Sequence, residues 1–387
     1  MATDIKVEGS CDSHFAALRD AFVENFQTLG ETGAALALTV DRKPVVDIWA
    51  GHTDAARTQP WERDTIANVF STTKGLTATC AHRLVDQGKL DLDAPVAKYW
   101  PEFAQAGKER LPVRYLLSHQ AGLPAVSQPL STEDMYDWNT MTNALAAQTP
   151  WWEPGTKHGY HALTYGWLVG EVIRRISGKS VGSYFRDEVA GPLGLDCHIG
   201  LAAQHDARVA PLLPPAMPSP EQLSMFAQAL QNPESMLAKV VLNPPLPPDV
   251  ANTREWRGAE IPSANGHTNA RALARMYGVL ACGGSSDGFR LLSKSAIDRA
   301  ITEQVDGPDA VMPLHTRIAL GFFLSTPTER LGPNRRAFGH GGMGGSMGFA
   351  DPDARIGFGY VMNELHLGVW LIDPRVVRLI DALYRCM

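Results

Sequence analysis

Extended, strand-like patterns lie at both ends of this chain and helical patterns fill its middle, a distribution that few folds accommodate. Ala34–Val40 and Val45–Trp49 are short apolar runs on either side of Asp-Arg-Lys-Pro, which predicts a β-hairpin. Near the other end, RIALGFFLS, RRAFGHGG, GSMGFADP and RIGFGYVMN read as antiparallel strands with turns at Gly-Pro and Asp-Pro-Asp. Helices flank both sets. Phe15, Leu18, Phe22, Phe26 and Leu29 recur at helical spacing until Gly30, and Pro374 opens a last helix with Val377, Ile380 and Tyr384 on one face. The simplest packing joins the two strand sets in one antiparallel sheet covered by the terminal helices, with the central helices as an inserted second domain. The predicted class is α+β: residues 1–75 and 255–387 form the sheet domain, and 76–254 form a mostly helical one.

The middle of the chain supports that division. Helices are expected after Phe70 up to Gly88, in VRYLLSHQAGLPAV, over Glu133–Gln148, in the segment ending at Gly178, and in SVGSYFRDEVAGPLGL. In the helix ending at Gly178, Leu163, Trp167, Val172, Ile173 and Ile176 point inward. Residues 201–262 change character. PLLPPAMPSP and LNPPLPPDV bracket two amphipathic patterns, Glu221–Leu230 and Glu234–Val241. Proline at this density is excluded from helix and sheet interiors, so the stretch near 205–250 reads as an ordered insertion at the rim of a pocket. Thr268 is expected to cap a helix through Ala281, and Ser293 to cap another.

Composition removes several function classes. A net charge of −6 leaves no basic footprint for nucleic acid or anionic lipid. No run of eighteen apolar residues is present, so no membrane span is expected. The five cysteines are odd in number and scattered, without a Cys-x-x-Cys, which argues against a disulfide framework or zinc site and for the cytoplasm. His-Glu-x-x-His, P-loop and dinucleotide fingerprints are absent, and His158 and His161 lack a ligand partner in sequence; no metal or cofactor is expected. His119 is expected to hold loop backbone.

Chemistry concentrates in Asn68-Val69-Phe70-Ser71-Thr72-Thr73-Lys74-Gly75, where an extended segment turns into a helix with Leu76, Cys80 and Leu84 on one face. Ser71 in the first helical turn and Lys74 one turn later point the same way. The helix N-terminus favours an alkoxide on Ser71 and disfavours an ammonium on Lys74, and burial would lower the lysine further. A second candidate base is Tyr160, in Pro-Gly-Thr-Lys-His-Gly-Tyr-His-Ala. A phenol acts as a base only if a cation such as Lys74⁺ lowers its pKa, and the pair would share one proton. The third piece is Gly339-His340-Gly341-Gly342-Met343-Gly344-Gly345, whose glycines permit close backbone approach. The Met343 N–H is expected to pair with that of Ser71 as an oxyanion hole. Two Gly-x-Ser-x-Gly matches, around Ser286 and Ser346, lack the strand-to-helix context of a nucleophile elbow and read as turns.

STTK, LLSHQAGLP, PGTKHGYHA and GHGG, in this order and spacing, resemble the serine β-lactamase-related superfamily: class C β-lactamases, D-alanyl-D-alanine carboxypeptidases and family VIII carboxylesterases. The resemblance implies a β-lactamase/transpeptidase-like fold. It also implies Ser71 as acylated nucleophile, Lys74 as its proton partner, and Tyr160 as general base for attack and acid for departure. His340, Gly341 and Gly342 fall where class C enzymes carry Lys-Thr-Gly on the strand lining the pocket, and with Met343 they are the expected substrate-binding residues. Two departures bear on substrate. The Asn that follows the class C tyrosine is replaced in His161-Ala162, and the strand lysine by His340, mostly neutral near pH 7, unless Arg335 or Arg336 supplies the charge. Both weaken recognition of a carboxylated lactam and favour a short-chain carboxylic ester; a small-molecule amide, as for a β-lactamase or D-amino-acid peptidase, is the alternative. A silent binding relative would be expected to have lost Ser71, Lys74 or Tyr160, and all three are present.

Overall fold

The structure is a computed structural model and describes residues 5–214, 231–366 and 371–387. Its centre is a nine-stranded antiparallel sheet. The first five strands along the chain are β1 (Val7–Cys11), β2 (Gly33–Val40) and β3 (Lys43–Gly51) from the N-terminal end, then β4 (Ala67–Asn68) and β5 (Cys197–Ile199), which lie outside this sheet. After them come β6 (Gly266–Thr268), the small hairpin β7 (Ser285–Ser286) and β8 (Phe289–Arg290), and the C-terminal run β9 (Val305–Pro308), β10 (His315–Ile318), β11 (Phe323–Leu324), β12 (Phe338–Gly341), β13 (Met347–Asp351) and β14 (Ile356–Met362). The sheet order β1-β3-β2-β14-β13-β12-β11-β10-β9 joins the two ends of the chain where β2 pairs with β14, Leu36 opposite Tyr360.

Among the described residues, the helices of seven residues or more are α1 (Ala16–Thr28), α2 (Thr73–Asp86), α3 (Trp138–Ala147), α4 (Thr164–Ser177), α5 (Met236–Leu242), α6 (Ala270–Ala281), α7 (Lys294–Ala300) and α8 (Pro374–Arg385). Strand alternation sorts them. Leu36, Leu38, Phe349, Phe358 and Tyr360 face α1 and α8, burying Phe15, Leu18, Phe22, Leu379 and Leu383; each such side chain removed from water contributes roughly 1.5–3 kcal/mol. The opposite face carries small residues and admits α6 close to the backbone. A Cβ on Gly357 would sit 2.0 Å from the Gly278 nitrogen. Beyond α6, a larger apolar cluster runs through α2, α3 and α4.

Several local expectations shift. The N-terminal tail contains β1, and RIALGFFLS is two strands, β10 and β11, joined by a tight turn in which Ile318 pairs with Phe323. Expected as one helix, Glu133–Gln148 breaks at Asp137, whose carboxylate accepts the Thr140 N–H and caps α3. Asn269, not Thr268, caps α6, because Thr268 is held in β6; Ser293 caps α7. On α8 the buried face is Val376, Leu379, Ile380 and Leu383, while Val377 is 44% exposed, so the predicted stripe is off by one position there. Within the insertion, Ser235 caps α5 at Met236 rather than Glu234; the pattern Glu221–Leu230 lies outside the described residues. The hairpin turn is Asp41-Arg42, both at positive φ, the two-residue geometry that suits twisted strands.

A second, three-stranded sheet in the order β4-β6-β5 was not expected. It ties residues from three distant parts of the chain together directly beneath the Ser71 turn.

Candidate active site

Strand β4 leads into Val69, whose N–H donates to Gly266 O at 2.9 Å, and then into Phe70 at φ +38. That φ is sterically costly for a side chain of this size and persists because the small sheet and the buried α2 hold both ends. The reversal lifts Ser71 out of the strand into a turn just ahead of α2, with Lys74 N–H donating to Ser71 O at 2.9 Å. Ser71 therefore precedes the helix by two residues rather than sitting inside its first turn. Its hydroxyl still faces Lys74, with Oγ 3.0 Å from Nζ.

The lysine is buried along its whole length. Nζ also lies 2.7 Å from Ala162 O and 3.0 Å from Ser263 O, with no carboxylate among its partners in the described residues. Burial holds its pKa well below the ordinary lysine value. A neutral amine has two hydrogens and one lone pair. The two carbonyls can only accept, so they take the hydrogens and leave the lone pair for the Ser71 hydroxyl.

Tyr160 projects from the loop before α4, with Lys74 Nζ 4.7 Å from its ring centre. The His119 ring lies tilted against it at 5.0 Å between centres, and the Phe323 and His340 rings also pack against it. Burial pushes the phenol upward, opposed only by its interaction with the Ser71 hydroxyl. Where the sequence predicts a charged lysine lowering the tyrosine, burial acts on the two in opposite senses, lowering the amine and raising the phenol. The loop is pinned on both sides of Tyr160. Asp309 Oδ1 accepts the Tyr160 N–H at 3.1 Å and those of Val311 and Met312 at 2.8 Å. His119 Nδ1 accepts the His161 N–H at 3.0 Å, which fits the expected backbone-holding role of this histidine.

The glycine-rich segment follows β12. His340 is buried, its Nδ1–H donates to Gly341 O at 2.7 Å, and burial lowers its pKa to about 3. Nε2 is consequently a bare acceptor, with no partner among the described residues. A Cβ on Gly342 would lie 2.1 Å from Val69 O, so the segment abuts the Ser71 turn directly. Ser346 bridges the two, donating to Val69 O at 2.8 Å and lying 3.0 Å from Thr72 Oγ1. Met343 is 42% exposed, and among the described residues neither its N–H nor that of Ser71 has a protein acceptor.

A family profile described as Beta-lactamase matches residues 19–382. The chain belongs to the beta-lactamase family. Among its relatives is the esterase/beta-lactamase LipL of Mycobacterium tuberculosis, 39% identical over 93% of this chain and 83% of that protein. Among solved structures, a family VIII carboxylesterase is 44% identical, covers 99% of this chain and 100% of its own, and superposes with a TM-score of 0.91. A penicillin-binding protein homologue from Caulobacter crescentus is 40% identical over 99% and 100% of the two chains, with a TM-score of 0.88. The fold is β-lactamase/transpeptidase-like, as the resemblance of the motifs implies.

Ser71, Lys74, Tyr160 and the His340–Met343 segment lie close together: Lys74 Nζ is 3.0 Å from Ser71 Oγ and 4.7 Å from the Tyr160 ring centre, which is 6.1 Å from that of His340. Arg336 is spent on the surface, pairing with Asp353 at 3.1 Å and Asp298 at 3.0 Å. Both Gly-x-Ser-x-Gly matches are turns: the first closes the β7–β8 hairpin, and the second contains Gly344 and Gly345 at positive φ. Sequence reasoning missed Ser263 and Ala162, whose carbonyls hold Lys74, and Asp309, which holds Tyr160; carbonyls carry no residue-type signal. No group of three or more His, Cys, Asp or Glu residues arranged to hold a metal occurs among the described residues, nor is any described helix long and apolar enough to cross a membrane.

Proposed function

We propose that the protein is a serine hydrolase that cleaves short-chain carboxylic esters through an acyl-enzyme on Ser71. The arrangement around Lys74 carries the reading: two carbonyls and a serine hydroxyl around a buried amine leave one productive proton acceptor. As Ser71 Oγ attacks the ester carbonyl, its proton passes to Lys74 Nζ. The N–H groups of Ser71 and Met343 hold the developing oxyanion, each such donor contributing roughly 3 kcal/mol in the transition state. Collapse breaks the bond to the alcohol oxygen, which takes its proton from Tyr160, reprotonated in turn by Lys74. A water then attacks the acyl-enzyme, gives its proton back through the same pair, and releases the acid with Ser71 restored.

Esters are favoured over carboxylated amides because the residue at the pocket strand is a neutral acceptor and not a cation. The esterase and carboxylesterase relatives support that choice. Tyr160, Ala162, Met236 and Leu237 pack against one apolar cluster, which suits an aliphatic acyl chain. Lactam or D-amino-acid amide hydrolysis by the same residues is the second reading, favoured by the beta-lactamase half of LipL's description. The same reading takes residues 1–75 with 255–387 as one domain and 76–254 as the other, and the cytoplasm as location.

Ser71→Ala is expected to abolish hydrolysis of p-nitrophenyl butyrate, and mass spectrometry of the ester-treated protein to find the acyl group on Ser71. Turnover retained by the variant would overturn the proposal. Nitrocefin and D-alanyl peptides assayed alongside separate the two readings, since a lactam or peptide preferred over every ester reverses their order.

A further inference from the structure

Behind the glycine-rich segment lies a group of charges that the reaction itself does not use. Arg375, on the first turn of α8, is fully buried, as are Glu31 and Asp373 beside it. Every guanidinium hydrogen has an acceptor. Nε donates to Asp373 Oδ1 at 3.0 Å, and Nη1 to Glu31 Oε1 at 2.9 Å and Glu364 O at 3.0 Å. Nη2 donates to Asp373 Oδ2 at 3.0 Å and to Gly344 O at 2.5 Å. Tyr360 donates its hydroxyl to the other Glu31 oxygen, and His366 Nδ1 lies 3.0 Å from Asp373 Oδ2.

Gly344 is the residue after Met343, and its carbonyl also accepts the His366 N–H at 3.1 Å. Gly344 and Gly345 both sit at positive φ, in a turn closed by Gly345 N–H to Gly342 O at 3.0 Å. A Cβ on Gly345 would fall 2.5 Å from Arg375 Nη2, so guanidinium and turn are in direct contact. Replacing a buried ionic group of this kind by apolar residues is often neutral or stabilising, so stability alone does not account for it. Its five-donor fork is also specific, since lysine offers three donors and a different geometry.

We propose that Glu31, Asp373 and Arg375 are positioning residues for the oxyanion hole: the two carboxylates lock the guanidinium, which grips Gly344 O and thereby aims the Met343 N–H. The proposal rests on the acyl-enzyme reading above. An oxyanion donor acts in the transition state, so misaiming it lowers kcat and leaves substrate binding nearly untouched.

The test compares wild type, Arg375→Lys and Glu31→Gln on p-nitrophenyl butyrate, with active sites counted by the p-nitrophenolate burst and with inhibition by butaneboronic acid, whose tetrahedral adduct occupies the oxyanion hole. Arg375→Lys is expected to lower kcat 10- to 100-fold per active site, to keep KM within twofold, and to weaken the boronate by a similar factor. Glu31→Gln preserves shape and the Tyr360 contact while removing the charge; it is expected to give the same signature, at five- to tenfold, and to decide the matter if the lysine variant does not fold. Folded variants with kcat and boronate inhibition within twofold of wild type would overturn the positioning role. A wild type that forms no acyl-Ser71 would instead overturn the reading beneath it.

Discussion

Replacing Lys74 by methionine keeps the side-chain stem and removes the amine, and its effect on stability depends on whether that amine is charged in the folded protein. Burial depresses the folded-state pKa below the unfolded value. Between those two values the unfolded chain carries a proton that the native protein lacks, so wild-type stability rises with pH, by about 1.4 kcal/mol per unit for one proton. Methionine abolishes that slope. It also strips the donors from Ala162 O and Ser263 O, at about 1 kcal/mol each. At the unfolded lysine pKa of about 10.4 the variant is therefore about 2 kcal/mol less stable than wild type. Moving down in pH, that margin narrows by about 1.4 kcal/mol per unit for as long as the native amine stays neutral. Urea unfolding of both proteins at intervals from pH 7.5 to 10 measures the difference directly, and the variant is expected to be inactive throughout. A variant less stable by a constant margin at every pH would mean that the native amine is protonated, and the assignment of Lys74 as base would fall.

Other outcomes follow from the same geometry. Burial lowers His340 and His161 to about 3, so both stay neutral above about pH 5, and lowers His119 well below its ordinary value; the acid limb of kcat/KM for p-nitrophenyl butyrate is then expected to belong to Lys74. His340→Gln should leave that limb in place; its disappearance would reassign the titrating group. Asp309→Ala frees the Tyr160, Val311 and Met312 amides and should lower kcat roughly tenfold with KM within about twofold, an effect through Tyr160 placement that unchanged kcat would refute. On α8, Val376→Ala should cost roughly 2 kcal/mol in urea unfolding and Val377→Ala less than about 0.5, and equal costs would contradict the observed face.

What could be read from the chain beforehand was whatever is encoded locally. Strand alternation in RIGFGYVMN, the capping serine at 293 and the Gly178 helix stop each act within a few residues of themselves, and each element formed. The α8 face slipped because Val376 and Val377 are both apolar, so periodicity alone does not choose which one is buried. Strands β4, β5 and β6 have two or three residues each, too few for an alternation pattern, and they form because they find one another.

The active site divides along the same line. Ser71 and Lys74 meet because they are three residues apart, which is sequence information. The direction of proton transfer we propose between them is not, since it rests on Ala162 and Ser263, 88 and 189 residues from Lys74, supplying carbonyls. A lysine at this position with an acidic neighbour would be an ammonium, and the same Ser-x-x-Lys spacing would then hold a serine beside a fixed charge with no base. Tyr160 makes the complementary case. Burial raises its phenol, and the rings of His119, Phe323 and His340 that pack against it are drawn from three separate segments. The motif specifies which atoms meet, and the packing around them decides which of those atoms holds the proton.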